Sequence, residues 1–184
     1  MLAYRISRLC WTTSLILAVA GIAHGTTWYV DADSPGAADG LSWATAFGNP
    51  QDALAVASAT DTIRVAQGTY MTDGARIGNG GYVAGSANRD ATFQLITGVS
   101  LEGGYAGFGE ADPDLRNISV HATILSGDLA ANDGWYFENH DENSYHVVTG
   151  SGTIESAILD GFVITSGFAI GSARQGDGAG MLTI

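Results

Sequence analysis

The chain has 184 residues, with seven arginines, no lysine and 19 acidic residues, for a formal charge of −12. Such an acidic balance excludes nucleic acid and anionic membranes as partners, because both need clustered positive charge, and it favours solubility and divalent cations. Glycine is frequent, yet 46% of the residues are apolar, which is the balance of a globular rather than a disordered chain.

Arg5 and Arg8 precede an apolar run over residues 11–22, which is followed by Ala23-His24-Gly25. A basic start, a short apolar core and small residues at a cut site predict a signal peptide over 1–25, with cleavage after Gly25. The run is shorter than the ~20 residues a spanning helix needs, so no transmembrane segment is expected after cleavage. Cys10 is the only cysteine and leaves with the leader, so the exported chain must be stable without disulfides. Its charge is then 5 − 19 = −14.

Residues 26–30 read as a first strand and run into an acidic, turn-rich loop containing Asp31, Asp33, Pro35, Gly36 and Asp39. Asn49-Pro50 then starts a short helix over residues 51–58, with Asn as cap, Pro at the first helical position and Asp52 at the positive end of the dipole. Residues 62–66 form the next strand, closed by Gln67-Gly68-Thr69-Tyr70. Residues 77–83 read as a small hairpin around Asn79-Gly80. Strands follow at 92–96, 99–101, 122–125 and 146–149.

Residues 156–167 read Ser-Ala-Ile-Leu-Asp-Gly-Phe-Val-Ile-Thr-Ser-Gly, two apolar β-prone runs around Asp160-Gly161. A strand that bends at Asp-Gly and continues as another strand fits this stretch, with Gly161 free to take positive φ and Asp160 capping backbone amides. Leu101, Leu125, Leu159 and Leu182 look like successive versions of one corner, at intervals of 125 − 101 = 24, 159 − 125 = 34 and 182 − 159 = 23. The longer interval is one turn plus a polar insertion, residues 129–145. Strand-rich self-similarity of this kind predicts an all-β fold, a right-handed parallel β-helix or solenoid. In that reading, residues 26–60 are a capping region with a short N-terminal helix and residues 61–184 are coils. The chain stops on a strand at Ile184, which suggests the N-terminal part of a longer, truncated β-helix.

Trp28-Tyr29-Val30-Asp31-Ala32, Gln51-Asp52-Ala53-Leu54, Gly103-Gly104-Tyr105, Tyr145-His146-Val147-Val148 and Leu159-Asp160-Gly161-Phe162 resemble secreted bacterial right-handed parallel β-helix proteins. These are the pectin-lyase-like proteins, including the polymorphic outer-membrane-protein group. The resemblance implies an exported protein, secreted or at the cell surface, on a fold that hosts lyases, hydrolases and adhesins alike.

Asp31, Asp33 and Asp39 with Gly36 offer a calcium loop, since hard cations take carboxylate and carbonyl oxygens. Pro35 and Ser42 spoil the match to an EF-hand, so ordinary turn chemistry is favoured. His140, Asp141, Glu142 and His146 invite a transition-metal reading. Trp135-Tyr136-Phe137 can stack on sugar rings, although folding back over the side of the molecule is favoured. The length of the 129–145 insertion makes it the place to look for function.

Catalysis would fall to Asp128, Asp160 and Asp177 at the corners, as acid and base of glycoside hydrolysis. Recurring turn positions explain Asp128 and Asp160 without chemistry. The lyases of the resembling family use an Arg or Lys base with calcium, whereas here Arg64, Arg76, Arg89, Arg116 and Arg174 are scattered. Asn117-Ile118-Ser119 fits a glycosylation sequon that a bacterial chain has little use for. No residue is therefore assigned as catalytic, cofactor-binding or metal-ligating, and calcium is the one cofactor left open.

The expected function is a secreted or cell-surface scaffold, adhesin-like and without a catalytic centre in this region. Its expected partner is an extracellular polysaccharide or a cell-surface component. The alternatives are the N-terminal portion of a polysaccharide lyase or glycoside hydrolase, and a calcium-stabilised glycan-binding module using residues 129–145.

Overall fold

The computed structural model describes residues 24–36, 38–77, 81–85, 87–170 and 173–183. The predicted leader lies outside them except for His24 and Gly25, and so does the Asn79-Gly80 turn. The chain begins with β1 (Thr27–Val30), then α1 (Pro50–Val56) and the contiguous pair β2 (Thr62–Ala66) and β3 (Gly68–Met71). An antiparallel hairpin, β4 (Gly74–Ile77) and β5 (Gly81–Ala84), comes next. Then follow β6 (Phe93–Gln94), β7 (Ser100–Tyr105), β8 (Thr123–Ser126), β9 (Val148–Thr149), β10 (Ile158–Asp160), β11 (Phe162–Thr165) and β12 (Met181–Leu182).

The strands pair in parallel as β1-β2-β7-β10, β3-β8-β11 and β6-β9-β12. This corrects the all-β solenoid expected from the sequence. The ladders form three small separate sheets of three or four strands, and helix stands beside them. Among the described residues the helical part comprises α1 and four 3-10 turns, at Trp43–Thr45, Trp135–Phe137, His140–Glu142 and Ala173–Gly176. The class is mixed, helix together with parallel sheet.

The repeat inferred from leucines also fails. Leu101 and Leu159 are register partners, but Leu125 lies beside Tyr70 and Ile164 in the second sheet, and Leu182 lies beside Thr149 in the third. True partners stand much further apart: 63 − 28 = 35 for Trp28 and Ile63, 101 − 63 = 38 for Ile63 and Leu101, and 159 − 101 = 58 for Leu101 and Leu159. Leu-x-Gly recurs at 101–103, 125–127 and 159–161 in strands of two different sheets, so the phrase does not mark one repeating position.

One apolar core joins the three sheets and the helix. Val30, Ile63, Val65, Leu101, Tyr70, Leu125, Phe93, Val147 and Val148 are all buried in it, with Ala53 of α1. Burying side chains of this size contributes roughly 1.5–3 kcal/mol each, far more than the propensity of a seven-residue helix. The predicted cap of α1 is present: the Asn49 carboxamide oxygen accepts the Gln51 amide, while its nitrogen donates to the carbonyls of Met71 and Gly74. One buried side chain thus starts the helix and fastens it to the end of β3.

The Asp160-Gly161 bend is also present, with Gly161 at φ +81° and the strands on either side in different sheets. A Cβ at Gly161 would come 2.7 Å from the Gly103 carbonyl, and one at Gly103 would come 2.6 Å from the Gly161 carbonyl, so both positions need glycine. Asp160 does not cap this bend. Its carboxylate pairs with Arg116.

Asp61 ties the first strand to the end of the helix. Its buried carboxylate accepts the amides of Thr26 and Ser58 and the Trp28 indole N–H. Burial alone would raise this carboxyl, but these donors and the Ser58 hydroxyl together hold it below the ordinary aspartate value of 3.8. Because the folded value is the lower one, the stability Asp61 supplies is present above pH 3.8 and is lost as pH falls through the folded value. Denaturant unfolding of Asp61→Ala is expected to show a loss of about 2–3 kcal/mol at neutral pH. The gap from wild type should close on acidification.

Candidate functional site

The 129–145 insertion leaves the second sheet just after β8 and is folded rather than loose. Asp128 starts it: this buried carboxylate accepts the amides of Asn132 and Asp133 on its two oxygens, at 3.1 and 3.0 Å. Asn139 donates to the Asn132 carbonyl, and the Gly134 amide to the Glu138 carbonyl, which closes the tip. At the far end, Ser144 donates to the Gly127 carbonyl and accepts from Phe168, so the insertion begins and ends on neighbouring backbone. Arg89 clamps the exit. Its Nε donates to the Asn143 carbonyl at 2.7 Å, a terminal nitrogen donates to the Phe168 carbonyl, and its guanidinium lies 4.2 Å from the centroid of the Tyr145 ring.

The tip carries strain. Ala131, Tyr136, Phe137 and Asn139 all have φ between +53° and +66°. Asparagine tolerates this region, but bulky side chains do so at a cost of order 1–3 kcal/mol each. The strained pair Tyr136-Phe137 belongs to the aromatic triplet. Folding back over the molecule, favoured from sequence, does not occur: Trp135, Tyr136 and Phe137 are 85%, 96% and 80% exposed. They line an open cleft of about 400 Å³ with Asp133 and His140, and Phe137 sets its ring edge-on to His140, 5.3 Å between centroids. Folding back was the cheaper expectation for apolar area, but the closed turn and the positive φ values aim the rings outward.

Behind the cleft, Asp128, Asp133 and Glu142 converge, each offering a carboxylate oxygen within 4.8 Å of the others. The transition-metal set expected from sequence splits around this cluster. Glu142 joins it, His140 lies 3.6 Å from Asp133 Oδ2, Asp141 is exposed, and His146 turns to the Gly178 carbonyl. Burial raises the Glu142 carboxyl above the usual glutamate value, and the charges of Asp128 and Asp133 raise it further. The Ala130 amide, outside hydrogen-bonding geometry, and Arg89 offset only part of that. Sequence reasoning had Asp128 as a corner and Glu142 among the histidines, and it did not single out Asp133. The signal that could have joined them is Asp-x4-Asp, with both carboxylates in reach of a glutamate at the other end of one polar insertion.

The other candidates stay apart. Asp31 is buried and accepts the amides of Asp33 and Phe108, whereas Asp39 is exposed and accepts the Leu41 amide. Both act as turn residues, and their loop contributes no convergent trio among the described residues. Asp160 is held by Arg116 and Asp177 is exposed, so neither meets Asp128. Arg64 pairs with Asp114, which also accepts the Trp43 indole N–H. The side chains of Arg76 and Arg174 lie outside the described residues. Among those residues, no helix is long and apolar enough to cross a membrane.

Arg64 and Arg116 both lie over the ring of the buried Tyr105, whose hydroxyl donates to Glu102 at 2.8 Å. Burial and then Glu102 push the Tyr105 phenol up to about 12, against the pull of the two arginines. The folded value is raised, so stability from this group is complete below pH 10 and is lost as pH climbs towards 12. Ultraviolet titration of phenolate should show one tyrosine ionising near 12, and Tyr105→Phe should remove that component.

No family model matches the chain, and no curated protein or solved structure matches it. The resemblance carried by its motifs therefore finds no independent support.

Proposed function

We propose that the chain is an exported recognition protein, secreted or held at the cell surface. In this reading it binds an extracellular polysaccharide through the 129–145 platform and does no chemistry on it. The observation that carries the reading is the outward-facing triplet Trp135-Tyr136-Phe137 on a closed, anchored loop. Three adjacent aromatic rings left in water forgo several kcal/mol of burial, which a monomer does not do without a use for the surface. Flat rings match the C–H faces of sugars, while Asp133 and His140 at the rim can bond their hydroxyls. Fixed loop geometry lowers the ordering cost of binding.

Export is supported by the basic and apolar pattern of residues 5–22 and by the resemblance of the motifs to bacterial surface proteins. Inverting hydrolysis is disfavoured by spacing. The clustered carboxylate oxygens lie within 4.8 Å of one another, closer than the roughly 6.5–9.5 Å an inverting pair uses to admit water. The lyase reading finds no free base among the described arginine side chains, since Arg64 and Arg116 are in ion pairs and Arg89 is committed to two backbone carbonyls.

On columns of immobilised polysaccharides, the chain should be retained on at least one and release no sugar ends. Trp135→Ala should weaken that retention about tenfold, near 1.4 kcal/mol, and leave folding stability within about 0.5 kcal/mol, because the site is exposed. Retention unchanged in Trp135→Ala, or product formed from any polymer, contradicts the proposal.

A further inference from the structure

The carboxylate cluster behind the aromatic cleft is costly as it stands. Three acidic side chains bring oxygens within 4.8 Å, and the donors on the page do not satisfy them all. Asp128 has two backbone amides and Asp133 Oδ2 has the Asn143 side chain, but Asp133 Oδ1 and both Glu142 oxygens are buried without a partner. Buried polar atoms are almost always paired, so unpaired acceptors gathered in one place call for an explanation.

A second observation points the same way. Asn143 is fully buried at 0% exposure, and its carboxamide reaches the cluster, with Nδ2 donating to Asp133 Oδ2 at 2.9 Å. The oxygen on the same carbon, Asn143 Oδ1, has no hydrogen-bond partner. The two ends of a carboxamide are nearly the same size, so a half-turn would bring the orphaned oxygen to the carboxylates. Next to negative oxygens alone that turn is unfavourable. Around a cation it supplies a fourth ligand.

We propose that Asp128, Asp133 and Glu142, together with the side-chain oxygen of Asn143, form a calcium site at the base of the aromatic platform. The donor set is all oxygen, which selects a hard cation over zinc or copper. Calcium–oxygen distances of about 2.3–2.6 Å put opposite ligands roughly 4.6–5.2 Å apart, so the 4.8 Å limit admits calcium without drawing the side chains together. Magnesium, with ligands at about 2.0–2.1 Å and a preference for keeping its waters, suits a cage of protein oxygens less well. The bound ion would join Asp128 at the start of the insertion to Glu142 and Asn143 at its end. It would fix the aromatic tip, whatever that tip recognises.

Calcium chloride titrated calorimetrically into the full chain, stripped of metal beforehand, tests the site directly. One saturable site is expected, with Kd on the order of 10⁻⁴–10⁻³ M, in the range of extracellular modules. At ten times that concentration the thermal midpoint should rise by about 3–6 °C. Glu142→Gln removes a charge that makes no hydrogen bond, so it should keep the wild-type circular dichroism and bind calcium at least tenfold more weakly. Asp39→Asn should leave binding unchanged. The proposal is overturned by absence of saturable heat in the millimolar range, by full affinity in Glu142→Gln, or by equal binding of magnesium. These readouts are independent of polysaccharide retention, so each proposal can fail without the other.

Discussion

Parallel register is the constraint on which the rest depends. Trp28, Ile63, Leu101 and Leu159 stand in one line across the first sheet, Tyr70, Leu125 and Ile164 in a line across the second, and Phe93, Val148 and Met181 in a line across the third. The middle members of these lines are buried in a common core. A slip of one residue in any ladder would turn its apolar column to solvent. Because parallel partners cannot be joined by a tight hairpin, each return takes a long connection. Two of these, between β7 and β8 and between β8 and β9, run without a named strand or an α-helix.

The second of these connections becomes a site because it is anchored at both ends by the ladder. β8 ends at Ser126, and Ser144 comes back to the Gly127 carbonyl, so a polar insertion is held at a fixed root. Asp128 then organises the first turn through two amides, Arg89 fixes the last, and the remaining length must bend sharply within that frame. The positive φ values at Tyr136 and Phe137 are the result, and the rings end up in water. Strain, exposed aromatic area and crowded carboxylates thus have one origin, a long insertion closed onto a narrow base.

Local structure was the legible part of the sequence. Asn49-Pro50 announced α1 through cap chemistry, Thr62–Ala66 announced β2 by composition, and Asp160-Gly161 announced a bend between two strands. The architecture is not legible, because similar corner phrases recur in strands that are not equivalent. Leu101, Leu125 and Leu182 belong to three different sheets, and nothing local distinguishes an apolar strand end in one sheet from that in another. Residues 67–70, read as the close of β2, fall largely in β3 because Thr69 and Tyr70 pair with Ile124 and Leu125, a contact across more than fifty positions. The insertion was identified by its length, but the direction of its rings was not. Hydrophobicity favours burial, and only the closed turn sets them outward.

The functional account rests on the 129–145 segment being a preorganised platform rather than a flexible loop. Amide hydrogen exchange at Asn132, Asp133 and Ser144 reports on this most directly, since these three amides carry the bonds that close the segment. The account predicts protection at all three comparable to that of the β8 ladder. Exchange at the rate of an unstructured peptide at these amides, with β8 still protected, would contradict it.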